Sequence, residues 1–95
     1  MKVNNVNGTS ERTCRCGSWL DHWKKFSNQS GFTYCAVDGC NKKSDVGAHV
    51  QKDSLYDKKW YIIPFCREHN GETGKSLTII DTLVLVPANV SETCG

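Results

Sequence analysis

The sequence predicts a small α+β domain. Segments that alternate apolar and polar residues predict strands, and one segment with apolar residues at helical spacing predicts a helix. The 95 residues are enough for one domain, but a mean hydropathy of -0.50 and 38% hydrophobic residues leave a thin core. Six cysteines and three histidines are present, so a bound metal ion is expected to supply stability that the core lacks.

Two short pairs of metal ligands lie between Cys35 and Asn70. Cys35 and Cys40 are the ends of CAVDGC, and Cys66 and His69 lie three residues apart in CREHN. Zinc takes thiolate and imidazole ligands in a tetrahedron, and structural sites commonly combine two short ligand pairs from separate turns. These four residues are therefore the predicted zinc ligands. Free buried cysteines are the alternative interpretation, because unpaired cysteine is common in protein cores.

The cysteines are expected to be reduced. The first residues, MKVNNVNGTS, contain no apolar run of the kind found in a secretory signal. We therefore expect a cytoplasmic protein, in which thiols bind metals more often than they form disulfides. The longest apolar stretch, LTIIDTLVLV, is interrupted by Asp81 and is shorter than the ~20 residues of a membrane span, so no membrane association is expected.

The N-terminal part predicts a tail followed by a helix. Residues 1–13 are polar and lack apolar periodicity, which predicts a flexible tail, and residues 14–95 are expected to form a single zinc-binding domain. The helix is predicted to begin after an N-cap at Ser18, with Asp21 three residues later, and to end near Ser27. Its apolar stripe, expected to face the core, consists of Trp19, Leu20, Trp23 and Phe26.

Three strands and a short helix are predicted around the central ligands. FTYCAV should be the strand that delivers Cys35, VGAHVQ the returning strand, and KKWYIIPF a third strand that ends before Cys66. Gly39 would allow a tight turn inside the first ligand pair. One or two helical turns after Cys66 would place it on the same face as His69. A last strand is expected over SLTIIDTLVLVP, ending at Pro87.

The remaining cysteines offer a second ligand set. If the two ends of the chain meet, three cysteines and one histidine could hold another zinc ion: Cys14, Cys16, His22 and Cys94. Free thiols are the default interpretation, because Cys-x-Cys is a less common ligand spacing and His22 borders the apolar stripe of the helix. A disulfide from Cys14 or Cys16 to Cys94 would need an oxidising compartment.

The central segment resembles the HNH family, also described as His-Me finger or ββα-metal domains, a branch of the treble-clef zinc folds. The similarity covers about residues 32–75 and is most specific in IIPFCREHN. This stretch is similar to the family's segment Pro-apolar-Cys-x-x-Cys-His, with His69 in the place of the second cysteine. His49 matches the family's leading histidine, and Asn70 its final His/Asn position. The resemblance implies a treble-clef-like ββα core. We expect the N-terminal helix to pack on this core and a C-terminal strand to follow it.

For active members of that family, the resemblance implies endonuclease chemistry. His49 would be the general base that activates water, and Asn70 would bind Mg2+ or another divalent cation separate from the zinc. The sequence departs from the active pattern at Ala48, where the family has an acidic residue, and at Trp60 and Tyr61, near the family's middle asparagine. We therefore expect a degenerate module that binds zinc and nucleic acid. An active endonuclease is the first alternative, and a protein-interaction or structural zinc module is the second.

The charge of the chain gives limited support to DNA or RNA as the partner. The formal net charge is +2, and three thiolates on one zinc ion would lower it by one. Several cations fall in or beside the zinc region: Lys42, Lys43, Lys52, Lys58, Lys59, Arg67 and Lys75. Acidic residues are interleaved with them, so an ordinary solvated face is the competing interpretation.

Overall fold

Five strands and two helices make up the described part of the chain. The computed structural model describes residues 1–6, 18–54, 56–57, 59–72 and 74–88. In chain order the elements are β1 (Lys2–Asn5), α1 (Trp19–Ser27), β2 (Val46–Lys52), β3 (Trp60–Phe65), α2 (Arg67–Asn70), β4 (Ser76–Thr78) and β5 (Val86–Pro87). The strands form one antiparallel sheet in the order β4-β1-β2-β3-β5. The predicted α+β class is confirmed. Among these residues, no helix is long and apolar enough to cross a membrane.

The hairpin of β2 and β3 is the centre of the sheet. Both strands match predicted segments, and their valine, isoleucine and aromatic residues favour extended backbone. Ala48 pairs with Ile63, and His49 with Ile62. Because successive side chains point to opposite sides of a strand, the two pairs lie on opposite faces of the sheet. We call the face of His49 and Ile62 the α1 face, and the face of Ala48 and Ile63 the metal face.

Helix α1 begins as the sequence predicts. The hydroxyl of Ser18, the N-cap, accepts a hydrogen bond of 3.1 Å from the backbone N–H of Asp21. The indole Nε1 of the buried Trp23 donates to the backbone oxygen of Val84 at 2.7 Å. This bond ties the helix to the segment before β5, so α1 covers the α1 face near the β5 edge of the sheet.

The buried stripe of α1 differs from the predicted one. Trp19 and Trp23 are buried as expected, but His22 is also buried and Phe26 is 37% exposed. Residues three and four apart share one side of a helix. His22, three residues after Trp19, shares its side of the helix, and their ring centroids lie 5.1 Å apart. Phe26 lies in the last turn and is left partly exposed.

The first residues form a strand, where the sequence predicted a flexible tail. β1 pairs with β2 on one side and β4 on the other, and Val3 and Asn5 are buried. The four residues of β1 include one aliphatic side chain, so the local sequence hardly indicates a strand. The strands that β1 pairs with lie far along the chain. Residues 7–13 of the expected tail lie outside the described residues.

Two predicted strands are interrupted. FTYCAV forms isolated bridges instead of a strand, such as that between Val37 and Ile79, because the chain turns at Gly39, where φ is 81°. SLTIIDTLVLVP forms β4 and β5, separated by a turn, so its two halves pair with different strands. β4 therefore pairs with β1 and β5 with β3, on opposite sides of the central hairpin.

Candidate metal centre

The four predicted zinc ligands converge at one place. One donor atom from each lies within 4.8 Å of the donors of the others, in a group made of Cys35, Cys40, Cys66 and His69. Nδ1 of His69 is 3.2 Å from Sγ of Cys66 and 3.5 Å from Sγ of Cys35. Zn–S bonds of about 2.3 Å and Zn–N bonds of about 2.0 Å in a tetrahedron place sulfur and nitrogen about 3.5 Å apart. The donors and their spacing therefore fit a zinc ion.

A tight turn holds the first pair of ligands. The backbone N–H of Cys35 donates to the oxygen of Lys42 at 2.8 Å, and that of Cys40 donates to the oxygen of Val37 at 3.0 Å. Gly39 adopts φ 81°, which is unfavourable for a residue with a Cβ atom. The turn brings both thiols to the same place.

The second pair of ligands lies at the start of α2. Cys66 is the N-cap residue, and its backbone oxygen accepts from the N–H of Asn70 at 3.0 Å. His69 lies within this single helical turn. Oδ2 of Asp45 accepts from the backbone N–H of Arg67 at 3.1 Å, which satisfies one free donor at the helix start. A helix of four residues is not stable alone, so such contacts must fix its position.

The site is too buried to hold several free thiolates. Cys35 is 0% exposed and Cys66 is 2% exposed. Burial raises the pKa of the Cys35 thiol to about 12, although hydrogen bonds from the backbone N–H groups of Cys66 and Val37 act in the opposite direction. A coordinated cation reverses the preference, because a thiol bound to a metal is deprotonated. The donor set therefore suits a divalent cation, and binding would release protons.

The predicted catalytic residues His49 and Asn70 are not brought together. His49 is 8% exposed on the α1 face, where its ring centroid lies 4.7 Å from that of Trp19. Asn5 is the partner of Val50 in the sheet and therefore lies on the metal face. Its side-chain amide donates to the backbone oxygen of Asn70 at 2.6 Å. The sheet thus separates the imidazole of His49 from helix α2.

The surroundings of His49 keep its imidazole neutral. Burial, together with the nearby His22, lowers the pKa of His49 to about 4. Trp60 lies on its other side, with ring centroids 6.1 Å apart. Ala48, at the position of the family's acidic residue, is 1% exposed on the opposite face. The described residues next to His49 therefore supply aromatic surface, with Trp19 and Trp60 packed against the ring.

Of the second predicted ligand set, His22 lies within the described residues. It is fully buried, and its Nε2 lies 3.0 Å from the backbone oxygen of Pro87. Cys14, Cys16 and Cys94 lie outside the described residues, so the structure does not test this set.

Two side chains that support α2 were not identified as such from the sequence. Asp45 binds the start of the helix, and Asn5 binds its end. Asp45 is an acidic residue in a polar turn, and Asn5 lies in a segment that resembles a polar tail. Neither has a spacing relative to Cys66 or His69 that would have revealed the contact.

The chain matches no family model, no curated protein and no solved structure. A functional interpretation therefore depends on the geometry of the site itself. The best-supported feature is a group of three cysteines and one histidine near enough to hold a metal ion.

Proposed function

We propose that the protein is a zinc-binding module, in which one ion is held by Cys35, Cys40, Cys66 and His69. The observation that carries the proposal is the convergence of these four donors from two distant segments of the chain. Four protein ligands complete a tetrahedron and leave no position for substrate or water, which is typical of structural zinc sites.

The residues around the ion would join the two segments. The turn of residues 35–40 reaches the sheet through the backbone N–H of Ala36, which donates to the oxygen of Pro64 at 2.8 Å. The second pair follows directly after β3. An ion between the pairs would cross-link the turn to the end of the central hairpin. Zinc, when bound, would supply the positive charge that keeps the three thiolates ionised, two of which are buried.

Elemental analysis of the purified protein tests the proposal. We expect one zinc per chain, and we expect Cys66→Ser to lose it, because a three-ligand site with an oxygen substitute binds zinc far more weakly. Two equivalents in the wild-type protein, with one lost in Cys14→Ser, would identify the second ligand set. A wild-type protein purified without chelators that holds no zinc and binds none on titration would contradict the proposal.

We further propose that the module associates with single-stranded DNA or RNA through the turn that holds the first ligand pair. Tyr34 is 51% exposed, and it pairs with Lys43 across this turn. Lys42 is adjacent and forms an exposed ion pair with Glu68. An exposed aromatic ring beside lysines is suited to stacking on a base while the cations contact phosphates. We call Tyr34, Lys42 and Lys43 the knuckle surface.

Binding to a labelled single-stranded oligonucleotide, measured by fluorescence anisotropy, tests this association. We expect Tyr34→Ala and Lys43→Glu to weaken binding by about tenfold each, because one loses stacking and the other a phosphate contact. Affinity should fall steeply with salt. Lys59→Glu is the matched control, because Lys59 is an exposed lysine next to β3 at the opposite end of the hairpin. Equal losses in Lys43→Glu and Lys59→Glu, with no loss in Tyr34→Ala, would indicate non-specific charge attraction and contradict the knuckle surface.

An active endonuclease is the alternative with less support. A general base must reach the water that it activates, whereas His49 is buried between Trp19 and Trp60. We therefore expect the oligonucleotide to remain intact during the binding experiment with Mg2+ present. Cleavage that disappears in His49→Ala, with the zinc content unchanged, would restore the endonuclease hypothesis.

A further inference from the structure

The side chain of Asn5 connects the N-terminal strand to the helix that carries two metal ligands. Asn5 is 1% exposed. Its Nδ2 lies 3.2 Å from the backbone oxygen of His69 and 2.6 Å from that of Asn70. One amide nitrogen has two protons, so it can donate to both carbonyls at once.

These carbonyls need partners because they lie at the end of α2. The last carbonyls of a helix have no partner within it. The backbone oxygen of His69 also accepts from the N–H of Glu72 at 3.1 Å, in a turn that continues the helix. The backbone of Asn5 contacts the same region, because its oxygen accepts from the N–H of Gly74 at 3.1 Å. Asn5 therefore holds both α2 and the segment that follows it.

The oxygen of the Asn5 amide indicates that this side chain serves as a hydrogen-bond donor. Its Oδ1 is buried and has no hydrogen-bond partner within the described residues. A buried acceptor without a partner costs free energy. An aliphatic side chain of similar size would avoid this cost, but it could not bind the carbonyls of His69 and Asn70.

We infer that Asn5 is a positioning residue for the metal site: it fixes the orientation of His69 by binding the backbone oxygen of that ligand. Asn5 contributes no atom to the ligand group. It acts through α2, whose single turn is held at the start by Asp45 and at the end by Asn5. Without the second contact, Nδ1 of His69 loses its fixed distance from the three sulfur atoms. The inference rests on the proposed zinc site and makes β1 part of it.

Competition with a chromogenic chelator measures the effect on affinity. We expect Asn5→Ala to raise the zinc Kd by about 10- to 100-fold, which is typical for loss of a residue that orients a ligand. Co2+ substituted for zinc should show altered d–d absorption bands in this variant, which a loss of stability alone would not produce. Asn4→Ala is the matched control, because Asn4 is the next residue of β1, is half-buried and points to the α1 face. It should bind zinc like the wild-type protein.

The outcomes separate this inference from the proposed function. If the wild-type protein binds no zinc, the proposed site is wrong and the inference fails with it. If the wild-type protein binds zinc and Asn5→Ala matches it in Kd and Co2+ spectrum, only the positioning role is wrong. Equal losses in Asn4→Ala would also overturn that role.

A measurement on the unmodified protein decides the case in which Asn5→Ala does not fold. In NMR spectra of the zinc-loaded wild-type protein, the side-chain amide protons of Asn5 should exchange slowly with solvent. On removal of zinc, which is expected to unfold the domain, this slow exchange should be lost. Fast exchange in the loaded protein, equal to that of Asn4, would overturn the inference.

Discussion

Removal of zinc is expected to unfold the domain. Structural zinc in small domains contributes an apparent binding free energy of about 10–16 kcal/mol at neutral pH, whereas whole domains are stable by about 5–15 kcal/mol. The buried thiols of Cys35 and Cys66 would lose their counter-charge. The turn of residues 35–40 would then be held mainly by backbone hydrogen bonds to neighbouring segments. The expected result is cooperative loss of the far-UV circular dichroism signal as a strong chelator is titrated.

Substitution of one ligand should have the same effect without chelator. Cys35→Ser keeps the size of the side chain but replaces a thiolate with a hydroxyl, a much poorer zinc ligand. Cys94→Ser is the control, because it makes the same chemical change while leaving the four proposed ligands intact. A metal-free protein with an unchanged thermal transition would contradict a structural role for the ion.

The ligand group could be predicted from the sequence because its geometry is mostly local. Cys35 and Cys40 need a single turn to meet, and Gly39 provides the backbone conformation for that turn. Cys66 and His69 need a single helical turn. Structural zinc takes four ligands, and each pair supplies two. The two pairs are therefore expected to meet at one ion, although they are far apart in the sequence.

The faces of the sheet could not be predicted in the same way. The alternation in VGAHVQ indicates that His49 and Val50 point in opposite directions, but it does not say which element covers each face. Helix α1 covers His49, and Gly47 allows the close approach. The resemblance to the HNH family implied that His49 and Asn70 act at one site, because it rests on positions along the chain. The packing of helix α1 decides the surroundings of His49 instead.

The strand at the N-terminus was missed for a related reason. Polar residues near a chain end resemble a tail whenever their partners are distant. Asn5 binds carbonyls 64 and 65 residues away, and no local pattern reports such a contact. A single sequence therefore gave the ligands of the proposed site but gave no sign of the strand that supports it.

Gly47→Ala is expected to destabilise the domain by about 3 kcal/mol, toward the upper end of overpacking costs. A Cβ atom at Gly47 would lie 2.4 Å from the carbonyl carbon of Trp19 and 2.5 Å from the backbone nitrogen of Leu20. Both are main-chain atoms, so no side-chain rotation can relieve the clash. Helix α1 or strand β2 must shift, and the contact between the rings of Trp19 and His49 must loosen. Urea denaturation of the zinc-loaded protein measures the loss.

Gly31→Ala separates this steric effect from the general effect of replacing glycine. A Cβ atom at Gly31 would meet nothing within 4 Å, and its φ is not positive, so its stability should change by no more than about 0.5 kcal/mol. Because α1 and the ligand group lie on opposite faces of the sheet, Gly47→Ala should retain its zinc under native conditions. Equal stability of the two variants would refute the close packing of α1 on β2. Loss of zinc from Gly47→Ala would instead mean that the α1 face and the metal face are energetically coupled through the central hairpin.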